Sequence, residues 1–156
     1  MIAIDIPGFK KIEADHLVLD FNGTLAIDGK LIEGTRNLLK LLANDLIIHI
    51  LTADTFGTAK KELMGIDCTL NILESTSQDR QKAKYTLNLG KEKTVAIGNG
   101  LNDALMLKNA ILGIAVIQKE GASVKSISNA DIVCHNIVDA LELLIYQKRI
   151  VATLRK

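Results

Sequence analysis

The chain is poor in several things, and each shortage removes a class of protein. Trp is absent and aromatic residues make up only 3% of the 156 residues, so a stacking platform for unpaired bases is not expected. Proline occurs once, at Pro7, and glycine eleven times, which is neither a collagen-like nor a disordered composition. The two cysteines, Cys68 and Cys134, lie far apart and in no CxxC spacing. That pattern argues against a disulfide scaffold or structural zinc and for two free thiols in a reducing compartment. Charge of one sign is missing too: 19 basic and 18 acidic residues leave a formal net charge of +1, so no overall field favours nucleic acid or an anionic membrane. The longest apolar run, Ile111–Ile117, is far short of the ~18 residues a membrane span needs. The N-terminus carries Asp5 early and has no sustained apolar stretch, unlike a secretory signal. A cytoplasmic chain with neither nucleic acid nor membrane as partner is expected.

What is present is an ordinary globular pattern, with 48% hydrophobic residues. At roughly one domain per 150 residues, residues 1–156 are expected to form a single domain with a core of its own. Short apolar runs at Leu17–Leu19, Leu46–Leu51, Thr69–Leu73, Val95–Ile97, Leu112–Val116 and Ile132–Cys134 read as strands. Several are rich in Ile and Val without alternation, as in parallel strands covered on both faces. Between them, amphipathic stretches near Thr35–Ala43, Thr58–Met64, Asp79–Leu89, Asn102–Asn109, Gly121–Ser128 and Ile137–Ile145 read as helices, the last with Asn136 at its N-cap position. Gly65, Gly90 and Gly113 fall where C-terminal helix glycines belong. Strand and helix in alternation predict an α/β fold, a three-layer Rossmann-like parallel sheet flanked by helices. Ile2, Ile4 and Ile6 suggest a small extra strand ahead of it, and Ala26–Ile32 a hairpin turning at Asp28-Gly29.

In such a sheet, ligands bind beyond the carboxyl ends of the strands. The first core strand is followed by Asp20-Phe21-Asn22-Gly23-Thr24, the second by Thr52-Ala53-Asp54, and the fourth by Gly98-Asn99-Gly100-Leu101-Asn102-Asp103; a helix before the fourth carries Lys82 and Lys84. A carboxylate, a hydroxyl, an ammonium and a second carboxylate on one sheet edge suit phosphoryl transfer with Mg²⁺. The carboxylate can attack phosphorus, while the Thr52 hydroxyl and backbone N–H groups near Gly23 hold the equatorial oxygens. A lysine offsets their charge, and Mg²⁺ takes a few oxygen ligands. Taken singly, Asp20 could merely begin a turn and Thr52-Ala53-Asp54 could cap the next helix, and the latter is expected to serve both roles. His49 reads as a core histidine with its polar groups satisfied, and His16 and His135 have no partners in the sequence.

These motifs resemble those of the haloacid dehalogenase-like (HAD) superfamily: a strand ending in DxDGT, a strand ending in Ser or Thr, a lysine, and GDGxND or a relative. The matching positions are Asp20, Gly23 and Thr24; Thr52; Lys82, preferred over Lys84 for its spacing to Leu89-Gly90; and Gly98, Gly100, Asn102 and Asp103. The resemblance implies that Asp20 is the nucleophile and that Gly23, Thr24, Thr52, Ala53 and Lys82 bind the phosphoryl group. It implies Mg²⁺ on Asp20, the backbone carbonyl of Asn22, Asn99 and Asp103. Two positions depart from the pattern. Asn22 replaces the acid that protonates the leaving group, which costs about 10²–10⁴-fold with poor leaving groups. Asn99 replaces a charged Mg²⁺ ligand, which weakens the metal site. P-type ATPases also lack that acid, and Leu51-Thr52-Ala53-Asp54 is similar to their LTGD, so the soluble P-type ATPase-like HAD proteins are the nearest resemblance. Thr24 to Thr52 and Thr52 to Lys82 leave no room for a cap or an adenine pocket. An open site is expected, suited to a large phosphorylated substrate or to cover by a neighbouring subunit of a homo-oligomer. Two rival readings are a non-catalytic phosphate-binding or regulatory module on the same fold and, less suited, a response-regulator receiver, which needs an acidic pair that the first strand lacks.

Overall fold

The computed structural model describes residues 1–156. Its centre is a six-stranded, all-parallel sheet built from β3 (His16–Asp20), β6 (Ile47–Thr52), β7 (Thr69–Ile72), β8 (Thr94–Gly98), β9 (Leu112–Val116) and β10 (Ile132–Cys134). All six apolar runs read as strands are strands. They can be apolar throughout because both faces are covered, and β8 and β9 are buried at every residue. The strand order is β10-β9-β8-β3-β6-β7. The chain moves outward from β3 to β6 and β7, then returns to the other side of β3 for β8, β9 and β10. Strand order therefore reverses at β3, which opens a crevice at the carboxyl ends of β6, β3 and β8.

The connecting helices are α1 (Thr35–Leu42), α2 (Ala59–Glu62), α3 (Gln78–Leu89), α4 (Ala104–Lys108), α5 (Val124–Asn129), α6 (Ile137–Ile145) and α7 (Lys148–Leu154). Alternate strand residues serve the two faces. Leu17, Leu19, Ile48, Ile50, Val95 and Ile97 join Leu39 of α1 and Leu141 of α6 in a cluster of 31 buried residues. Val18, Ala96 and Ala115 pack under Met106 and Leu107 of α4 on the other face, where α4 contacts both α3 and α5. Between Thr24 and Thr52 the chain forms only the hairpin β4 (Ala26–Ile27) and β5 (Lys30–Leu31), then α1 and β6; between Thr52 and α3 it forms only α2 and β7. No folded insertion covers the carboxyl edge. No helix is long and apolar enough to cross a membrane.

Three local expectations need revision. The extra strand β1 (Ile2–Ile6) is half of an antiparallel hairpin with β2 (Lys10–Ala14), pairing Ile4 with Ile12. The partner escapes a pattern reading because Lys10, Lys11 and Glu13 interrupt its apolar residues, yet Ile12 and Ala14 are wholly buried. Helix α7, absent from the sequence reading, packs on β1 through fully buried Ile150; seven residues with one inward anchor carry a weak periodic signal. Gly65 and Gly90 have the positive φ of residues after helices, but Gly113 lies inside β9. Glycine is needed there because a Cβ would meet the Leu107 carbonyl at 2.6 Å.

Candidate active site

Asp20, Thr52 and Gly98 end the three strands that border the crevice. The parallel register sets Asp20 beside Leu51, one residue short of Thr52. Above them lies a small cavity of about 160 Å³, whose lining includes Asp20, Asn22, Thr52, Ala53, Lys82 and Asn99, and also Gln78, Asn102 and Glu120. A larger hollow of about 400 Å³ sits at the opposite, amino end of the sheet around Asp15, Ile47 and Thr69; it gathers no comparable set of catalytic groups.

The question left open between two lysines has a geometric answer. Lys82 is 1% exposed, with Nζ donating to Asp20 Oδ1 at 2.6 Å and to Asp103 Oδ1 at 2.7 Å, whereas Lys84 is exposed. Two helix positions separate them, which turns them to different sides of α3. The buried triad carries two negative charges and one positive. Burial raises the Asp20 carboxyl, the charge of Asp103 raises it further, and Lys82 opposes both, leaving it at about 6. Burial pulls the Lys82 ammonium down, but the charges of Asp20 and Asp103 outweigh that and raise it. Lys82 is therefore a permanent cation, and Asp20 is a carboxylate at neutral pH that gains its proton just below.

Asp103 has a different place from the one the motif suggests. Its Oδ2 accepts from the backbone N–H of Asn99 at 3.0 Å and of Gly100 at 2.8 Å, while Oδ1 is taken by Lys82. It is wholly buried and does not line the cavity. Three of its four lone-pair positions are thereby used, and Asp103 holds Lys82 and the Gly98–Asp103 loop together. Gly98 makes this possible, since a Cβ there would stand 2.5 Å from Asp103 Cγ.

Gly23 and Thr24, expected to contact phosphate, also fall outside the cavity. The Gly23 N–H donates to Ala26 O at 2.7 Å and the Thr24 N–H to Phe21 O at 3.2 Å. Those amides are consumed by the turn that follows Asp20. The Thr24 hydroxyl donates to Asn99 Oδ1 at 3.1 Å, tying the first and fourth motifs together. Gly23 itself has φ +82°, a backbone conformation that favours glycine, and a Cβ there would lie 2.6 Å from Asn99 Nδ2 and 2.8 Å from Glu120 Oε2. Thr52 does serve two roles. Its Oγ1 accepts from the Asp54 N–H at 2.9 Å, and Asp54 in turn accepts from the N–H groups of Thr58 and Ala59 at the start of α2. The Thr52 hydroxyl proton is thereby left to donate into the cavity. Asn22 Oδ1 is a buried polar atom with no partner, a cost of about 1–3 kcal/mol, and it lies at the same mouth.

The loop after β9 was not singled out by sequence. Gln118 Nε2 donates to Gly23 O at 2.8 Å and Thr24 O at 2.7 Å, and Gln118 Oε1 accepts from the Ile137 N–H. Asn99 Nδ2 donates to Gly121 O at 3.0 Å, and the Ser123 N–H to Asn99 O at 2.8 Å. Glu120 is thus held at the cavity from both sides. Inspecting the carboxyl end of the fifth core strand, as was done for the first, second and fourth, would have found it. Gln78 could have been found from its i, i+4 spacing to Lys82. His49 is satisfied as expected, by His16 Nδ1 at 3.1 Å and Tyr85 Oη at 2.9 Å. His16 therefore has a partner, supplied by the neighbouring strand.

A cation at this site would find few charged donors. No three His, Cys, Asp or Glu side chains gather as a metal nest. The Asp20 carboxylate, the Asn22 carbonyl and Asn99 Oδ1 nevertheless offer an all-oxygen set of the kind Mg²⁺ takes, which keeps several waters and uses one or two carboxylates. The residues fit such an ion, with little charge behind it.

Residues 80–140 match the family model of the haloacid dehalogenase-like hydrolases. An uncharacterized protein of Methanocaldococcus jannaschii, MJ0073, is 51% identical over 83 residues, which is 51% of this chain and 89% of that protein. The fold is shared with 3-deoxy-D-manno-octulosonate 8-phosphate phosphatase of Moraxella catarrhalis, solved with magnesium, phosphate and KDO, at TM-score 0.63, 16% identity and coverage of 91% of this chain and 94% of that one. It is shared as well with the cobalt-bound Haemophilus influenzae deoxy-D-mannose-octulosonate 8-phosphate phosphatase, at TM-score 0.67, 12% identity and coverage of 92% and 94%. A parallel sheet whose reversal point gathers Asp20, Thr52, Lys82 and Asp103 is the fold these phosphatases share, and residues 80–140 carry the sequence pattern of the haloacid dehalogenase-like hydrolases.

Proposed function

We infer that the chain is a Mg²⁺-dependent phosphohydrolase that works through an aspartyl phosphate on Asp20 and favours good leaving groups. The observation that carries this reading is the buried Lys82 held at 2.6 Å from Asp20 and 2.7 Å from Asp103, opening on a cavity with the Thr52 hydroxyl. Lys82 occupies Oδ1 of Asp20, so Oδ2 is the attacking oxygen. A bond forms from Asp20 Oδ2 to phosphorus while the bond from phosphorus to the leaving oxygen breaks, and that oxygen departs with the electron pair. Thr52 Oγ1 donates to an equatorial oxygen, and Lys82 offsets the charge around Asp20. Mg²⁺ beside Asp20, when bound, would neutralise charge on the phosphoryl oxygens. Asn22 has no proton to give, so the leaving oxygen must depart as an anion or take a proton from water. Phenolates and acyl leaving groups meet that condition better than alkoxides. Water then attacks phosphorus, frees the Asp20 carboxylate and releases inorganic phosphate.

A groove of about 680 Å³ adjoins the cavity, shares Gln78 and Asn102 with it, and exposes Leu101 and Leu105. It is where a bulky leaving group would lie, since no folded segment covers the edge. The neutral residues Asn22 and Asn99 favour one second reading, a phosphate-binding module without turnover. Hydrolysis of para-nitrophenyl phosphate by the wild type and Asp20→Ala separates the two. Expected is turnover that needs Mg²⁺, is stopped by EDTA, and falls to background in Asp20→Ala. Turnover that survives Asp20→Ala overturns the mechanism, and a folded wild type without turnover in excess Mg²⁺ leaves the binding module.

A further inference from the structure

The geometry points to Glu120 as the second anionic donor of the divalent-cation site, standing in for the charge that Asn99 lacks. This rests on the reading of the site given above. The Asp20–Lys82–Asp103 triad sums to one negative charge, and Asp103 does not line the cavity. A divalent cation beside Asp20 would therefore be left half-compensated in a buried setting, where unbalanced charge is expensive. Glu120 brings the protein's contribution to two. Its Oε2 and the Asn99 Oδ1 flank the same point over Gly23, each 2.8 Å from where a Cβ would stand. Its carboxylate lines the cavity that Asp20, Asn22 and Asn99 line.

The backbone around Glu120 is anchored for such a role. Gln118 grips the Gly23 and Thr24 carbonyls on one side, and Asn99 holds Gly121 and Ser123 on the other. The loop is thereby locked to the two segments that carry the remaining oxygen donors, the Asn22 carbonyl and Asn99 Oδ1. Glu120 makes no ion pair and no side-chain hydrogen bond of its own, and its side chain is exposed. Nothing has to be broken for it to turn onto a cation. A surface glutamate that merely solvates the fold would not need a loop fastened at both ends over the nucleophile's own turn.

The test is calorimetric titration of Mg²⁺ into the full chain, for the wild type, Glu120→Gln, Glu120→Asp and a distant control, Glu92→Gln, with the Mg²⁺-induced rise in melting temperature as a second readout. Removing one full charge near a divalent cation is expected to weaken Kd about tenfold. Glu120→Asp should recover part of that loss and Glu92→Gln should show none. The variants should melt with the wild type when Mg²⁺ is absent, and Glu120→Gln should show the smaller rise when it is added. Equal Kd in the wild type and Glu120→Gln, with Mg²⁺-dependent turnover intact, overturns the role of Glu120 and leaves the phosphohydrolase reading standing. A wild type that takes up no Mg²⁺ overturns the cation site itself, and with it both.

Discussion

Replacing Lys82 by Met would remove the one positive charge from a site that holds two carboxylates, and the structure sets the size of the effect. Met keeps most of the buried stem's volume, so packing loss is small and the result reports charge. The ammonium lies 2.6 Å from Asp20 and 2.7 Å from Asp103. At an effective dielectric of about 20, each contact is worth about 6 kcal/mol of attraction before desolvation is subtracted. Breaking a buried pair by deleting one partner costs about 3–5 kcal/mol in practice. In a chain of this size, that lowers Tm by about 6–20 °C. The cost must also depend on pH. Asp20 already has a folded pKa of about 6, above its ordinary 3.8, and losing Lys82 raises it further. A carboxyl raised on folding holds its extra proton only in the folded state, so its contribution is full below the unfolded value and is lost as pH rises through the folded one. The penalty of Lys82→Met should therefore be largest near pH 7.5 and shrink near pH 5. Urea unfolding at both pH values, with unchanged m, measures it. Lys84→Met, on an exposed side chain, should stay within about 0.5 kcal/mol of the wild type. A Lys82→Met penalty below about 1 kcal/mol, or one equal at the two pH values, would refute a charge-locked triad.

Asn22→Asp restores an acid at the leaving-group position and should raise hydrolysis of an alkyl monoester by up to about 10²-fold, with a much smaller gain on para-nitrophenyl phosphate; equal gains would show that position 22 does not serve the leaving group. His49 is held down to about 4, first by burial and then by the charge of His16. Its stabilising contribution is present above 6.5 and lost as pH falls toward 4. Allowing for solvent that reaches the ring, that is about 2 kcal/mol. The urea midpoint of His49→Gln should fall less steeply than that of the wild type between pH 7 and 4.5, and parallel slopes would place the acid sensitivity elsewhere.

The six strands were legible from local pattern, because continuous apolar runs such as Val95–Ile97 and Leu112–Val116 suit strands buried on both faces. The sequence by itself also determined Asp20, Thr52 and the Gly98–Asp103 loop as parts of one edge, because residues that follow parallel strands must emerge on the same side of the sheet. The Asn136 cap and the hairpin at Asp28-Gly29 were legible for a similar reason, since each is a contact within a few residues of chain. Tertiary structure alone decided the rest. Spacing only inclines the choice to Lys82 over Lys84, and it is the rotation of α3 against β8 that sends one into the core and the other to solvent. That Asp103 bonds Lys82 and two backbone amides and stays outside the cavity lining is visible only in the fold. Gly23 and Thr24 read as phosphate contacts until their N–H groups are found closing a turn. The pairing of His16 with His49 and the seating of Glu120 over Gly23 join residues 33 and 97 positions apart. A sequence states which donors and acceptors a chain owns. Each lone pair and proton can be used only once, and which are already used is set by long-range packing that no local pattern records.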